Sequence, residues 1–372
     1  KEHTPDVLVH IRRAGISSLD RQDVASAQPG VFILGREAGG NVIDPGPYGE
    51  LHAGMKVAVI PRIICKTCDY CTNMYGNLCQ SAQRAGTDFH GGLARLVALP
   101  RACLYPVGDD FPTDALPLVD GLSAVLHALF RVKECFNHTS YEHIKSDPAI
   151  DPVTVFGAGP MGCLIALALQ RFWPHIPVTL IEPLEVRRDF VESNRIAACV
   201  YEQFPDDKRS NVSFVTSDTL LAHENAVATV SNGGVIVLFS GLSPDEANKV
   251  NEQGSIQGNE LQSIHKTEET REYTIKARNS YTLLGSVGYN NDDVGRAVQE
   301  LQEHYADHYR TIQTMIIRGL DATRGRRPRG MRECLPPRAG QPAVEALLSP
   351  EGIHDRENGK FIAGTQKVLI IP

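Results

Sequence analysis

Residues 153–162 read VTVFGAGPMG, and no other stretch of the chain restricts the possible folds as much. Val153–Phe156 is a short apolar run of buried-strand type, Gly157–Gly162 a glycine turn, and Cys163–Phe172 a helix. Gly157, Gly159 and Gly162 fit G-x-G-x-x-G. The first glycine permits the tight turn, the second lets backbone approach a pyrophosphate, and the third lets helix and strand pack closely. Phosphates would sit on the unpaired amides of the helix start, around Pro160 and Met161, aided by the helix dipole. A second strand, Val178–Ile181, ends in Glu182, 20 residues after Gly162. A carboxylate there can accept hydrogen bonds from both ribose hydroxyls and would repel a 2′-phosphate, which favours NAD over NADP. Arg187 and Arg188 stand close enough to soften that preference.

The rest of the chain divides by texture. Val7–Arg12, Lys56–Ile60 and Gly91–Leu99 read as strands, and Leu34–Ile43 carries Gly35, Gly39 and Gly40, as if backbone must come close to something there. Ile64–Gln80 is polar, cysteine-rich and loop-like, so this first part reads as an irregular strand-rich domain. Asp120–Val132 has helical spacing through Leu122, Val125, Leu126 and Leu129, followed by a polar stretch, Lys133–Asp151. From Val153 onward, strands (Val178–Ile181, Val212–Val215, Val235–Phe239, Tyr281–Ser286) alternate with helical segments such as Glu185–Asn194, which implies a parallel sheet with crossovers. Pro244–Arg278 reads as a polar surface excursion and Gly319–Pro342, rich in Arg, Pro and Gly, as a solvated loop. Val294–His308 reads as a helix, and Lys367–Ile371 closes the chain as a strand.

Four of the nine cysteines, Cys65, Cys68, Cys71 and Cys79, follow C-x2-C-x2-C-x7-C. Four thiolates on one loop can close a tetrahedral zinc site with no open position, so the expected ion is structural. The other cysteines lie scattered in apolar or loop contexts, where core packing is the default. An odd cysteine total with four clustered favours a reducing compartment, and the expectation is a cytoplasmic protein. Lys1 opens a charged, turn-like segment, so no signal peptide is expected. No apolar run approaches the length of a membrane helix. The net charge of −7 argues against nucleic acid as a partner.

Taken in order, AGISSLD at Ala14–Asp20, LGREAGG at Leu34–Gly40, the four-cysteine loop, HGGLARLVALP at His90–Pro100, VDGLSAVLHA at Val119–Ala128, the glycine turn and the terminal KVLIIP resemble the zinc-containing medium-chain dehydrogenase/reductase family. VDGLSAVLHA looks more like its polyol, sugar and threonine dehydrogenase branch than the simple-alcohol branch. The resemblance implies an α/β chain with a GroES-like, β-rich catalytic domain and a doubly wound Rossmann domain, the active site lying in the cleft between them. The expected boundaries are 1–130 for the first part of the catalytic domain, 131–287 for the dinucleotide domain and 288–372 for the remainder. It also implies a homodimer or homotetramer. The family's first strand and hairpin have no counterpart before Val7.

The departures from the family pattern bear on the chemistry. Ser17 stands where the family's cysteine binds the catalytic zinc, Arg36 stands where its histidine does, and Asp120 falls on the third, acid or cysteine, position. Leu19 replaces the serine that starts the family's proton relay, and Gln22 lies near the usual relay histidine. A neutral hydroxyl is a poor zinc ligand and a guanidinium cannot become one. The expectation is therefore that the structural zinc is kept and the catalytic zinc lost. Two roles stay open for Arg36, Glu37 and Asp120: a charged acid/base centre in place of the metal, or a salt-bridge cluster filling its site. Asp20 is balanced between structural and catalytic roles, His90 reads as a turn residue and His127 as a packed core histidine. The leading expectation is an NAD-dependent oxidoreductase interconverting a secondary alcohol and a ketone on a polyol, cyclitol or sugar-like small molecule. The alternatives are a zinc-independent reductase of an activated C=C or C=N bond, and an inactive NAD(H)-binding sensor or scaffold.

Overall fold

The computed structural model describes residues 6–17, 19–20, 32–136, 150–247, 257–275, 279–314, 316–318, 353–354, 361–362 and 367–370. The chain forms two compact units, residues 1–72, 79–122 and 294–372 in one and 73–78 and 123–293 in the other.

The first unit is built around β1 (Val7–Gly15), whose alternation buries Val7, Val9 and Ile11 while Arg12 reaches solvent. Each such buried aliphatic side chain contributes about 1.5–3 kcal/mol relative to exposure. β1 pairs antiparallel with β2 (Glu37–Asp44), which pairs in turn with β3 (Lys56–Val59). β4 (Arg62–Ile63) and β5 (Gln83–Arg84) form a separate ribbon. β6 (Leu96–Leu99) lies against the first half of β1, and β7 (Leu104–Pro106) pairs with β3. Opposite Gly39 and Gly40, β1 bulges by one residue between Ile11 and Arg13. A Cβ on Gly40 would fall on the carbonyl of His10, so the glycines of this segment serve a close strand crossing.

Helix α1 (Leu118–Phe136) is longer at both ends than its apolar spacing predicts, and the unit boundary falls within it after Leu122. The second unit follows with β8 (Ile150–Phe156), α2 (Pro160–Phe172), β9 (Val178–Ile181), α3 (Glu185–Ser193), β10 (Cys199–Tyr201), β11 (Arg209–Val215), α4 (Leu220–Thr229) and β12 (Val230–Leu238). It closes with α5 (Gly258–Thr267), β13 (Thr270–Ile275) and β14 (Asn279–Gly285). The sheet order is β10-β9-β8-β11-β12-β14-β13, parallel except for β13. This is the doubly wound dinucleotide-binding arrangement, with one antiparallel strand added at an edge. Its central strands are apolar almost throughout because both faces are covered. The chain reverses direction across the sheet between β8 and β11, where such folds bind ligands.

Several features differ from the sequence reading. The excursion expected over Pro244–Arg278 contains α5 and β13, with Leu261 and Ile264 buried in the core; residues 248–256 and 276–278 lie outside the described residues. α4 was not anticipated, because LLAHENAVAT lacks a clean apolar stripe, and neither was the three-residue β10. The loop at Gly319–Pro342 and Gln22 lie outside the described residues. After α6 (Asn291–His304) the helical path loosens into a π-turn at Tyr305–Tyr309, where a helix through His308 was expected. β15 (Ile316–Arg318) follows, then β16 (Ile353–His354) paired with β17 (Phe361–Ile362). β18 (Lys367–Ile370) pairs with β15 and with Ala14–Gly15 of β1, so the C-terminus completes the first sheet. Among the described residues no helix is long and apolar enough to cross a membrane.

Gly40→Ala would force a methyl against a fixed backbone carbonyl, and overpacking of this kind costs about 1–3 kcal/mol. Urea denaturation of the first unit measures the loss; an unchanged midpoint would show that β1 and β2 can part without cost.

Candidate functional site

The glycine turn sits at the carboxyl end of β8. Gly157 has φ 106°, a left-handed conformation that a side chain would strain. A Cβ on Gly162 would overlap the carbonyl of Gly157, whereas one on Gly159 would meet nothing within 4 Å. Helix and strand are thus locked together, while space remains open over the middle glycine. Pro160 occupies the first turn of α2, where its missing N–H has no partner to lose, and Met161 stands beside it, half-buried. Thr216, from the end of β11, donates through its hydroxyl to the carbonyls of Phe156 and Gly157, both at 3.0 Å. Sequence reading missed this clamp, because a lone threonine 59 residues away along the chain carries no signal.

Glu182 is buried at the end of β9. Its Oε2 accepts from the Ala158 N–H at 2.8 Å and lies 3.4 Å from Arg187 Nη1, while Oε1 accepts from the Leu184 N–H at 3.0 Å. The carboxylate is therefore tied to the glycine turn itself. Arg188 turns the other way, donating to the carbonyls of Glu182 and Pro183 and pairing with Glu202 at 3.6 Å. Of the two arginines, Arg187 is the one beside the carboxylate.

The four cysteines converge. Sulfur–sulfur distances are 3.6 Å for Cys68–Cys71 and 3.9 Å for both Cys65–Cys71 and Cys68–Cys79. Zinc–thiolate bonds of about 2.3 Å give a tetrahedron with edges of about 3.8 Å, so the spacing matches a metal site and is far too long for a disulfide. The N–H groups of Cys65 and Cys68 point at Cys79 Sγ and Cys65 Sγ, each at 3.4 Å, as second-layer donors do around bound thiolates. Backbone N–H groups of Thr67 and Cys68 pull the Cys65 thiol down to about 6. Desolvation, then its thiol neighbours, push Cys71 up to about 12. Sulfurs this crowded suit a cation among them. Among the described residues these four side chains form the one group of three or more His, Cys, Asp or Glu whose ligand atoms converge.

In the first unit Asp20 is fully buried and organises its surroundings. Its Oδ2 accepts from the backbone N–H and the hydroxyl of Ser17, both at 2.8 Å, and its Oδ1 from the Gly35 N–H and Arg36 Nη1, both at 3.2 Å. Arg36 is buried too, and its Nη2 reaches Thr87 Oγ1 at 3.4 Å. The carboxylate 3.2 Å from Arg36 Nη1 is that of Asp20. Glu37 is buried opposite Gly15, where a Cβ on the glycine would lie 2.7 Å from its Oε2. Asp120 is half-buried in the first turn of α1, and Leu19 points largely into solvent. His90 accepts from the Ile33 N–H through Nδ1 at 3.1 Å and packs its ring against Phe32 in a T-shaped arrangement.

A strand-rich unit with a thiolate cluster and a doubly wound unit with a glycine turn define a dehydrogenase-like architecture. Comparison with known proteins agrees. Residues 3–109 match the alcohol dehydrogenase GroES-like domain. A zinc-type alcohol dehydrogenase-like protein of Haemophilus influenzae is 31% identical over 207 residues, 54% of this chain and 56% of that protein, so the chain spans little more than half of this relative. An L-threonine 3-dehydrogenase of Sinorhizobium medicae is 25% identical over 64% of this chain and 70% of its own length. The crystal structure of galactitol-1-phosphate dehydrogenase from Escherichia coli superposes with a TM-score of 0.69 at 17% identity, covering 100% of this chain and 94% of that one, which shows the shared fold. The match over residues 3–109 and these relatives support a place in the medium-chain dehydrogenase/reductase family.

Asp20→Ala would leave the Arg36 charge buried without this carboxylate, and breaking one side of a buried pair costs about 3–5 kcal/mol. Adding Arg36→Met should recover part of that loss in denaturation experiments. A double variant no more stable than Asp20→Ala would show that the pair is not the dominant tie.

Proposed function

We propose that this chain is an NAD-dependent oxidoreductase that interconverts a secondary alcohol and a ketone on a polyol, cyclitol or sugar-like small molecule. The observation that carries the proposal is the turn at Gly157–Gly162, open over Gly159 and tied to the buried carboxylate of Glu182. The amides at the start of α2 suit a pyrophosphate, and Glu182 suits a ribose with free hydroxyls. When bound, the dinucleotide supplies hydride chemistry at its nicotinamide ring. A relative named for threonine and a similar fold named for galactitol-1-phosphate support a hydroxyl-bearing substrate.

Cys65, Cys68, Cys71 and Cys79 would hold one zinc ion, with no position left for substrate. The residues at the family's catalytic zinc position do not fit that ion, since Arg36 cannot ligate it and the Ser17 hydroxyl is bonded to Asp20. In this proposal Arg36 provides the positive charge toward which a substrate oxygen turns, and Asp20 and Thr87 hold the guanidinium still. Glu37 or Asp120 exchanges the hydroxyl proton.

Metal analysis of the purified chain should give one zinc per chain; two would overturn the lost-site reading. Arg36→Ala should lower turnover by about 10²–10³-fold, the usual cost of removing one preorganised donor, with NADH affinity nearly unchanged. A panel of polyols, their ketones and activated C=C and C=N compounds, followed by NADH absorbance, separates the alternatives. Turnover of only the last two would favour the zinc-independent reductase, to which the substituted Ser17 and Arg36 positions also point, and no turnover with tight NADH binding would favour a sensor.

A further inference from the structure

Four charged side chains that the proposed function does not use gather inside the second unit: His127 and Arg131 on α1, Glu268 just after α5, and Asp293 in the first turn of α6. His127 Nε2 lies 3.0 Å from Glu268 Oε1 and His127 Nδ1 lies 3.0 Å from Asp293 Oδ2. All three side chains are buried, with 11%, 3% and 6% of their surfaces exposed. A neutral imidazole has one N–H, and its other nitrogen would set a lone pair against a carboxylate. The geometry therefore calls for an imidazolium. Burial works against that charge, but the bonds to Asp293 and Glu268 outweigh it and raise the His127 pKa to about 9. Burial would raise Glu268, yet His127, Arg131 and the Val287 N–H hold it below its ordinary range.

The same two oxygens also grip backbone. Glu268 Oε1 accepts from the Val287 N–H at 2.8 Å, and Asp293 Oδ2 from the Asn290 N–H at 2.9 Å. Both ends of the segment 287–290, which contains Gly288 at φ 64°, are thus tied through carboxylates to one ring. Glu268 itself is held at φ 53°, a strained conformation for a side-chain-bearing residue, with its carbonyl accepting from Arg131 at 2.7 Å. Segment 287–290 leaves the carboxyl end of β14. Glu182 assigns the adenosine half of a dinucleotide to the β8–β10 side, so the β11–β14 side receives the nicotinamide half.

We propose that His127, as an imidazolium bridging Glu268 and Asp293, is a positioning residue that fixes the backbone of segment 287–290 for the nicotinamide half of the cofactor. The inference rests on the NAD reading above. Of the other groups facing the cluster, Arg131 pairs with Glu268 at 3.3 Å and His265 of α5 is pushed toward neutrality by burial. Loss of the His127 proton therefore leaves two carboxylates against one guanidinium. Asn77 keeps the segment attached in that state, donating through Nδ2 to the Val287 carbonyl at 3.0 Å and through its N–H to Asn290 Oδ1 at 3.3 Å.

The test measures the affinities of the full chain for NADH and for ADP-ribose, which lacks the nicotinamide, by titration calorimetry from pH 7 to pH 10. A binding step that needs one proton weakens by about tenfold per pH unit above the pKa, so the wild type should lose about tenfold in NADH affinity between pH 8 and pH 10 while ADP-ribose binding stays level. His127→Asn should bind NADH weakly already at pH 7, with ADP-ribose unaffected and the pH dependence gone. A wild-type ratio of the two affinities that stays constant with pH overturns the proposal, and this comparison decides the matter alone if His127→Asn does not fold. A variant with the wild-type ratio at pH 7 overturns it equally. A wild type that binds neither ligand at pH 7 overturns the NAD reading, and this inference with it.

Discussion

The close contact between α2 and β8 sets the terms for the second unit. Gly162 has no room for a Cβ against the Gly157 carbonyl, and that exclusion brings the start of the helix down onto the end of the strand. Much follows from this one contact. The Ala158 amide reaches the Glu182 carboxylate, Thr216 clamps the turn from the neighbouring strand, and the sheet reverses its winding at the same place. A helix start held this way keeps its amides and dipole aimed at one point, which is what an anionic pyrophosphate needs.

The first unit handles charge differently. Arg36 and Ser17, which the proposed function sets where the family pattern has soft ligands for a metal, are both bonded to Asp20. A buried guanidinium is tolerable only when a carboxylate compensates it and the remaining lone pairs are occupied. Asp20 meets that need with four donors from Ser17, Gly35 and Arg36. In the proposed function this arrangement keeps a positive charge at the position while changing its character. A guanidinium offers directional hydrogen bonds and a permanent charge, whereas a metal offers a vacant coordination position.

Much of the fold was legible because it is written in local pattern. Val153–Gly162 announces strand, turn and helix within ten residues, and the cysteine spacing announces a convergent thiolate set. Segments with mixed pattern were less legible. LLAHENAVAT does not advertise a helix, yet α4 forms because the sheet offers a surface for Leu220 and Ala226. The stretch around α5 and β13 reads as polar because only Leu261 and Ile264 of its helix and one face of its edge strand meet the core. A sequence pattern records how much of an element is buried; where little is, the pattern fades.

The sequence alone determined which chemical groups are available: a glycine turn with an acid after the next strand, four thiols on one loop, and an arginine and a serine in the segments that resemble the family's. Which groups meet was decided only by the tertiary structure. Asp20 lies 16 residues from Arg36, and His127 lies 141 and 166 residues from the carboxylates that hold it. No spacing rule links residues so far apart, because their contact arises from the packing of whole elements. Charge pairing in a buried site is strong only within a few ångströms, so the identity of each partner is settled by where the folded backbone places it.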